Sequence, residues 1–580
     1  MQQLLKLVKP YRGRLAAVAV ADALGMLMAL LVPYVMSEIV DSGIAEGNRE
    51  VLVTSSVLML VLSLLSLGGN LVANKINTAV TSGYTRDVCR ATFNKINALS
   101  YERYSEIGPS GLLTRATDDI FNIEGAISSL VYTAVTIPVM IIGSAVLALL
   151  ADPTLAVVFM CSIPPVMLII FFFMRPLYGM WDKSDKYVDE QNKIVRERLS
   201  GIRVVRAFNN DPREHGRAKH ATEEMAKYMI RANVRGGYIE PCALFLLNLA
   251  TVIMVAVAGG RAEAGLLDRA GDIIAVVQYV MILSGALINL SWTIAWLPRL
   301  RVSVKRISEI HSSPREEEGH TECADPDGYS VSVEGVTFTY PSAKEPSLKN
   351  LSLEIKEGER VAIIGGTGSG KSTLVRLLIG LFRPSEGEIY LGGAAYSDMS
   401  RETLRAHYST ALQRGMIFEG TVRDNVAMGK PDAEDAEILE VLSDVQMREF
   451  VASHEEGLDY LLVGMGQNVS GGQKQRLGLA RTVIRESDIY IFDDSFSALD
   501  YLTESRIRSR LEARLRGKTV ITVTQRVSTA LGASRIYVMD RGEIVAHGTH
   551  EELLRESDIY REICLSQIGE EALGGGACEK

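Results

Sequence analysis

The sequence predicts a multidomain chain: an all-α half of six membrane-spanning helices, followed by an α/β half of the P-loop class. Three observations carry that prediction. Residues 1–300 hold several long apolar runs, whereas residues 331–565 have the mixed composition of a water-exposed α/β domain. The apolar stretch R-V-A-I-I leads directly into G-G-T-G-S-G-K-S and then into a helical pattern, K-S-T-L-V-R-L-L. A length of 580 residues leaves room for both halves. The net charge of -9 averages two unlike halves and therefore identifies no partner. Six cysteines, Cys89, Cys161, Cys242, Cys323, Cys564 and Cys578, form no C-x-x-C pair and no metal-ligand spacing. Neither a disulfide framework nor a zinc site is indicated, and a reducing cytosol fits.

A hydrocarbon core about 30 Å thick takes roughly 20 apolar helical residues. Six stretches meet that length, at about 15–36, 51–74, 128–150, 154–174, 241–260 and 272–297. The first follows Lys6, Lys9, Arg12 and Arg14 as a secretory signal would, but its apolar run is too long and leads into P-Y-V-M-S-E-I-V-D rather than a small-residue cleavage site. Asp22 inside it is an ionisable residue at membrane depth and marks a candidate polar cavity.

Basic residues set the orientation. The loops after the first, third and fifth spans contain only Arg49, Arg261 and Arg269. The segments after the second and fourth are rich in them: Arg86, Arg90, Lys95, Arg103 and Arg115 in one, Lys183, Lys186, Lys193, Arg196, Arg198, Arg203 and Arg206 in the other. Both termini are therefore expected on the cytoplasmic side of a cell membrane of bacterial type.

Those two segments, 75–127 and 175–240, contain few helix breakers except near their middles. Each half would carry a helix about 35 to 40 Å beyond the bilayer before turning back. The turns are predicted near G-P-S-G-L-L-T-R-A-T-D-D-I (108–120) and V-R-A-F-N-N-D-P (205–212). Near the end of the sixth span Asn289, Trp292 and Trp296 share one face. With Arg299 and Arg301 beside them, the two tryptophans read as an interfacial belt rather than a substrate site.

The resulting division is a membrane domain over 1–310, a polar turn-rich linker over 311–330, a nucleotide-binding domain over 331–567 and a disordered tail over 568–580.

In the second half, strand, glycine-rich loop, Lys-Ser and helix occur in the order that phosphate binding requires. Gly365, Gly368 and Gly370 let backbone N–H groups turn toward phosphate oxygens at a helix N-terminus. Lys371 is placed to reach the outer phosphates and Ser372 to ligate Mg²⁺. Upstream, V-T-F-T-Y-P puts Val336, Phe338 and Tyr340 on one strand face.

Further on, V-S-G-G-Q-K-Q-R-L-G-L-A-R-T-V-I (469–484) opens a helix about 20 residues before the acidic strand I-Y-I-F-D-D. This ordered set resembles the ATP-binding-cassette (ABC) exporters, and the resemblance spans nearly the whole chain. It includes P-Y-V-M-S-E-I-V-D-S-G-I after the first span, G-L-L-T-R-A-T-D-D-I at one cytoplasmic tip and L-S-G-I-R-V-V-R-A-F at the other.

The resemblance implies a half-transporter that binds ATP with Mg²⁺. It implies that Tyr340 stacks on adenine and that the Walker A loop runs through Gly365, Gly366, Thr367, Gly368, Ser369, Gly370, Lys371, Ser372 and Thr373. Gln413 would link Mg²⁺ and the attacking water to the cytoplasmic tips, and Asp493 would be the Walker B carboxylate. Ser470, Gly471, Gly472 and Gln473 would cap the γ-phosphate of ATP held by the opposite subunit, with Asp500 at the dimer seam.

Three positions depart from the family pattern. Asp494 stands where the general base is usually Glu, Gln525 where a switch His usually contacts the γ-phosphate, and V-G-M-G-Q where the family writes V-G-E-x-G, placing Met465 near the acidic position. Asp is one methylene shorter than Glu, which draws the carboxylate back by about 1 to 1.5 Å from the water it should activate. A placement error of about 1 Å costs on the order of 10²-fold in rate. Gln525 donates hydrogen bonds but carries no charge.

The expectation is a subunit whose own site is slow and whose intact signature completes a faster site on a non-identical partner. Its cargo would be an amphiphilic or hydrophobic small molecule (drug, lipid or peptide) moved out through the lipid bilayer. An inward transporter on the same fold, or an ATP-gated channel or regulatory subunit, are the alternatives. Six spans exclude a soluble ABC protein acting on nucleic acid.

Overall fold

The structure, a computed structural model, describes residues 6–264, 269–316, 326–341, 343–413 and 415–568. The predicted tail beyond Ile568, and residues 317–325 of the predicted linker, lie outside the described residues. The chain forms two compact units. Met1–Asn97 and Ser110–Ser312 make the first; Ala98–Pro109 and Ser313–Lys580 make the second.

The first unit is helical. Its long helices include Arg12–Glu38, Arg49–Asn97, Asp118–Ala151, Pro153–Ser200, Asp211–Gly237, Ile239–Glu263 and Gly271–Ser312. Among the described residues six helical segments are long and apolar enough to cross a bilayer: Lys6–Ala45, Arg49–Asn97, Pro109–Ala151, Pro153–Ser200, Asp211–Glu263 and Gly271–Leu290. Their outer faces expose Leu64, Leu65, Phe171, Phe172 and Phe245. Such helices are apolar around most of their circumference, as lipid-facing helices are and water-facing ones are not. Their inner faces meet in a core that includes Leu30, Phe159, Leu247, Met254, Tyr279 and Leu283.

Within this unit backbones approach closely at small residues, the usual device where lipid removes the hydrophobic drive between helices. A Cβ built on Gly69 would lie 2.9 Å from the Cα of Gly25. Asp22 is buried and accepts a hydrogen bond from the Thr136 hydroxyl, so it joins two helices. Asn289 donates to the Gly285 carbonyl one turn back along its own helix. The side chains of Trp292 and Trp296 lie outside the described residues.

The first cytoplasmic tip is longer than its predicted turn. The first turn runs from the end of one long helix at Asn97 to the start of the next at Asp118, so it includes the predicted 108–120 stretch and begins about ten residues before it. The long helix ends at Asn97, and Ser100 then caps a short helix, Tyr101–Ile107, by accepting the Arg103 N–H. Gly108 follows at φ +75°, a conformation that only glycine adopts freely, and Pro109 opens the next helix. G-P-S-G thus lies where the short helix Tyr101–Ile107 gives way to the short helix Pro109–Ala116, near the middle of the turn as predicted. The second turn agrees with its prediction: a short helix, Ile202–Ala207, is followed by Asn209 at φ +49° and a new helix from Asp211.

Among the described residues the second unit contains twelve strands. These are β1 (Val331–Phe338), β2 (Leu348–Ile355), β3 (Arg360–Gly365), β4 (Glu386–Leu391), β5 (Ala394–Ala395), β6 (Tyr408–Ala411), β7 (Gly420–Thr421), β8 (Leu461–Leu462), β9 (Ile489–Asp493), β10 (Thr519–Thr524), β11 (Arg535–Asp540) and β12 (Glu543–Gly548). Six of them form a sheet in the order β12-β11-β3-β10-β9-β6, parallel from β6 to β11 with β12 antiparallel at the edge. Every residue of β9 is buried, which is why its sequence reads as continuous I-Y-I-F rather than alternating. An antiparallel sheet, β2-β1-β4-β5, lies in the same unit. Val336 and Phe338 of β1 are buried, as period-two alternation predicts.

Segment Ala98–Pro109 belongs to this unit although helices of the first flank it in sequence. The Tyr101 ring meets Phe382 edge-on with centroids 5.3 Å apart, and Phe382 in turn packs on Phe338 and Tyr340. Backbone pairing secures the segment: the Glu316 N–H donates to the Ala98 carbonyl at 2.8 Å.

Candidate nucleotide-binding site

The C-terminal ends of β3 and β9, adjacent to β10 in the parallel sheet, feed one open cleft of about 750 Å³. Its lining includes Thr367, Gly368, Gly370, Lys371, Ser372, Thr373, Gln413, Asp493, Asp494 and Gln525. The end of a parallel sheet is where α/β folds build ligand sites, because helix N-termini and loops converge there. The volume is that of a small-molecule pocket.

The phosphate loop begins where β3 stops. Gly368 and Gly370 hold φ of +84° and +100°, turning the chain into the helix Lys371–Leu378. A side chain on Gly370 would also strike Leu348 at 2.7 Å, so both torsion and space demand glycine there. The Lys371 ammonium donates to the carbonyls of Gly365 at 2.9 Å and Gly366 at 2.7 Å and to the Ser369 hydroxyl at 3.2 Å. It thus closes the empty loop on itself. Burial pushes its pKa down, opposed by the charges of Asp494 and Asp493. An anion in the loop would offset that burial and stabilise the ammonium.

Across the cleft, the Ser372 hydroxyl donates to the Asp493 carboxylate at 3.3 Å. Gln413 Nε2 donates to Asp494 Oδ2 at 3.4 Å. Burial pushes the Asp493 carboxyl above the usual range; the Ser372 hydroxyl opposes this and the neighbouring Asp494 charge adds to it. Burial raises Asp494 too, against the pull of Gln413 and Arg526. A buried carboxyl, Asp493, beside a half-buried one, Asp494, invites a divalent cation. The hydroxyl of Ser372, the carboxylate of Asp493 and the amide oxygen of Gln413 are the hard oxygen donors that Mg²⁺ takes.

Asp494 sits at φ +47°, sparsely populated for a residue with a side chain, and its N–H is held by the Val523 carbonyl at 2.8 Å. Gln525 follows β10, and the Thr367 hydroxyl donates to its Oε1 at 3.4 Å. Among the described residues lining the cleft there is no histidine.

Several predicted residues lie apart from the cleft lining. Gly365, Gly366 and Ser369 support the loop from behind through Lys371. Tyr340 stands at its border: its hydroxyl hydrogen-bonds Thr373 at 3.1 Å and accepts from Arg376 at 2.9 Å. Ser470, Gly471, Gly472 and Gln473 start the helix Gly471–Ile484. There the Gln473 N–H donates to the Ser470 hydroxyl, while Gln473 Oε1 accepts the Ser470 N–H at 2.7 Å. This reciprocal cap leaves Ser470 and Gly471 exposed. Asp500 likewise caps the helix Tyr501–Arg514 by accepting the Thr503 N–H at 3.0 Å. Met465 is exposed at φ +58°.

Conversely, Glu345, Pro346, Ser347, Lys349 and Arg541 line the cleft without having been singled out in the sequence. The one signal for Arg541 was its place in D-R-G between two strands, where Asn-Gly or Asp-Gly is the expected turn.

Comparison with known proteins finds relatives of both halves of the chain. Residues 15–287 match the ABC transporter transmembrane region, and residues 348–497 match the ABC transporter domain. The chain is 32% identical over 574 residues, 98% of each sequence, to an uncharacterized ABC transporter ATP-binding protein of Mycobacterium tuberculosis. It is 30% identical over 580 residues, the full length of both, to another from Bacillus subtilis. It is 28% identical to an ATP-dependent lipid A-core flippase of Bordetella avium, over 93% of this chain and 91% of the other. In fold it is similar to a bacterial Atm1-family ABC exporter with ATP bound, with a TM-score of 0.84 over 97% of this chain and 99% of that one, at 23% identity.

Proposed function

The chain belongs to the ABC transporter family, with its membrane domain and its ATP-binding domain fused in one polypeptide, and from that premise we propose that it is the slow-site subunit of a heterodimeric exporter. In this reading ATP joins two non-identical chains. This chain's phosphate loop, Asp493 and a partner's signature form a site that mainly binds. Its own Ser470–Gln473 and Asp500 complete a hydrolytic site on the partner.

The observation that carries the reading is the pairing of Asp494 with Gln525 on one cleft otherwise complete for binding. Asp494 is the short carboxylate, already engaged by Gln413. Gln525 is neutral and engaged by Thr367. Both act on the water that must be deprotonated and on the charge that develops as the γ-phosphate leaves. Loss of reach at one and loss of charge at the other slow the chemical step and leave ground-state binding intact. The exposed signature, outside the cleft of its own chain, fits a role toward a second subunit.

Mg²⁺, when bound, would supply positive charge that offsets that of the phosphates. Ser372, Asp493 and Gln413 are the residues that would hold it. Gln413 in addition reaches Asp494, so one side chain senses both the metal position and the water position. The membrane domain over 1–310 and the ATP-binding domain over 331–567, both termini cytoplasmic, would then alternate between states of different ATP affinity. Such a difference is the condition for coupling. The curated flippase relative supports an amphiphilic or lipid-like cargo leaving a cell membrane.

The test is ATP turnover by this chain in lipid nanodiscs, alone and co-purified with the product of the neighbouring half-transporter gene. Turnover should be slight alone and rise on the order of 10²-fold in the pair, the cost of a misplacement of about 1 Å. High turnover by the chain alone would reject the slow-site reading.

A further inference from the structure

The turn between β11 and β12 breaks a local rule. Asp540 pairs with Glu543, leaving Arg541 and Gly542 as a two-residue hairpin, and both have positive φ, +46° and +89°. Turns of this kind are dominated by Asn, Asp and Gly, which accept the left-handed region readily. Gly542 obeys that preference. Arg541 does not, and a long side chain in this conformation is strained. Local rules are broken mainly where function compensates.

The strained residue stands beside the phosphate loop. The Gly542 N–H donates to the Ser369 carbonyl at 3.1 Å, and the Gly542 carbonyl accepts the Lys349 N–H at 2.9 Å. A Cβ on Gly370 would fall 3.5 Å from the Gly542 Cα. The hairpin is thus tied to the loop by its second residue, and its first residue lines the cleft. The Arg541 side chain is 91% exposed, with Asp540 at 3.8 Å, so its guanidinium presents donors to the cleft. Lys371, by contrast, hydrogen-bonds the Gly365 and Gly366 carbonyls and the Ser369 hydroxyl. The described cations lining the cleft are Lys349, Lys371 and Arg541, against Glu345, Asp493 and Asp494.

We infer that Arg541 is a nucleotide-binding residue of this chain, which brings a guanidinium from the β11–β12 hairpin onto the phosphate chain of bound ATP. A guanidinium offers paired donors to phosphate oxygens, and such charge-assisted bonds are about twice as strong as neutral ones. In a cleft whose switch position is the uncharged Gln525, this adds positive charge to that of Lys349 and Lys371. The inference rests on the cleft being the ATP site.

The experiment measures Mg-ATP affinity of the full-length chain in nanodiscs, by displacement of a fluorescent ATP analogue. The variants are Arg541→Gly, Arg541→Gln, Arg541→Lys and Lys371→Ala. Arg541→Gly removes the guanidinium and relieves the φ strain, so its thermal midpoint should equal or exceed that of the wild type. Its Kd for ATP should nevertheless rise about tenfold, as should that of Arg541→Gln, and Arg541→Lys should stay within about threefold of wild type. The salt dependence of binding should also flatten in the two uncharged variants. Wild-type affinity in both Arg541→Gly and Arg541→Gln, with Lys371→Ala impaired, would overturn the role of Arg541 and leave the cleft assignment standing. Wild-type affinity in Lys371→Ala would overturn the cleft assignment itself.

Discussion

Asp493 and Asp494 show how much a carboxylate's role depends on what surrounds it. Both are raised above the usual carboxylate range by burial. The sign follows from linkage. A native value above the unfolded one favours the neutral form in the empty fold. This contribution to stability is present below the unfolded value and is lost as pH rises through the native one. Binding of Mg²⁺ needs the charged form and so works in the opposite direction. The Mg²⁺-dependent part of ATP affinity should therefore begin to fall, on acidification, at a higher pH than an ordinary aspartate would require. Titrating Mg-ATP affinity against pH checks this, and Asp493→Asn should abolish that limb. At this scale most of the site was legible in the sequence, because the loop glycines, Lys371, Ser372 and the Asp pair sit at fixed offsets from a strand end. Arg541 was not legible: nothing in D-R-G announces that its hairpin is tied to Ser369.

Among the elements, the membrane helices were the easiest to read and the tips the hardest. Twenty apolar residues in a row have one outcome in a bilayer. A turn depends instead on single residues: the glycine-proline cluster marks the middle of the first tip, but its start, set by Ser100 as a cap about ten residues earlier, was not foreseen. The close approach of Gly25 and Gly69 belongs to this scale too, since neither glycine lies in a turn. A Cβ on Gly69 would meet backbone, at 2.9 Å from Gly25 Cα and 3.1 Å from the Ala21 carbonyl oxygen, and backbone cannot rotate away. Gly69→Ile should therefore destabilise the membrane unit by about 1–3 kcal/mol or more, as overpacking does. A fall in the thermal midpoint of the detergent-solubilised chain would register it, with Gly68→Ile as the control because a Cβ there meets nothing within 4 Å.

For the whole molecule, one chain holds every part of an ATP machine but not in one place. The phosphate loop, the acidic pair and Gln525 share a cleft, while Ser470 and Asp500 cap helices outside it. Sequence order alone revealed the inventory; it could not reveal the separation, because spacing along a chain does not fix which surfaces face one another. That separation is what makes a second subunit part of the chemistry. Under the slow-site reading proposed above, two copies of this chain would pair two slow sites, and the partner in that reading is therefore unlike.

The most direct measurement is the ATP turnover of the purified wild-type chain beside that of the Asp494→Glu/Gln525→His double variant, at saturating Mg-ATP in nanodiscs. Restored reach and restored charge should raise turnover at least about tenfold, with ATP affinity changed little. Brisk hydrolysis by the wild-type chain, unaltered in the double variant, would contradict the slow-site account.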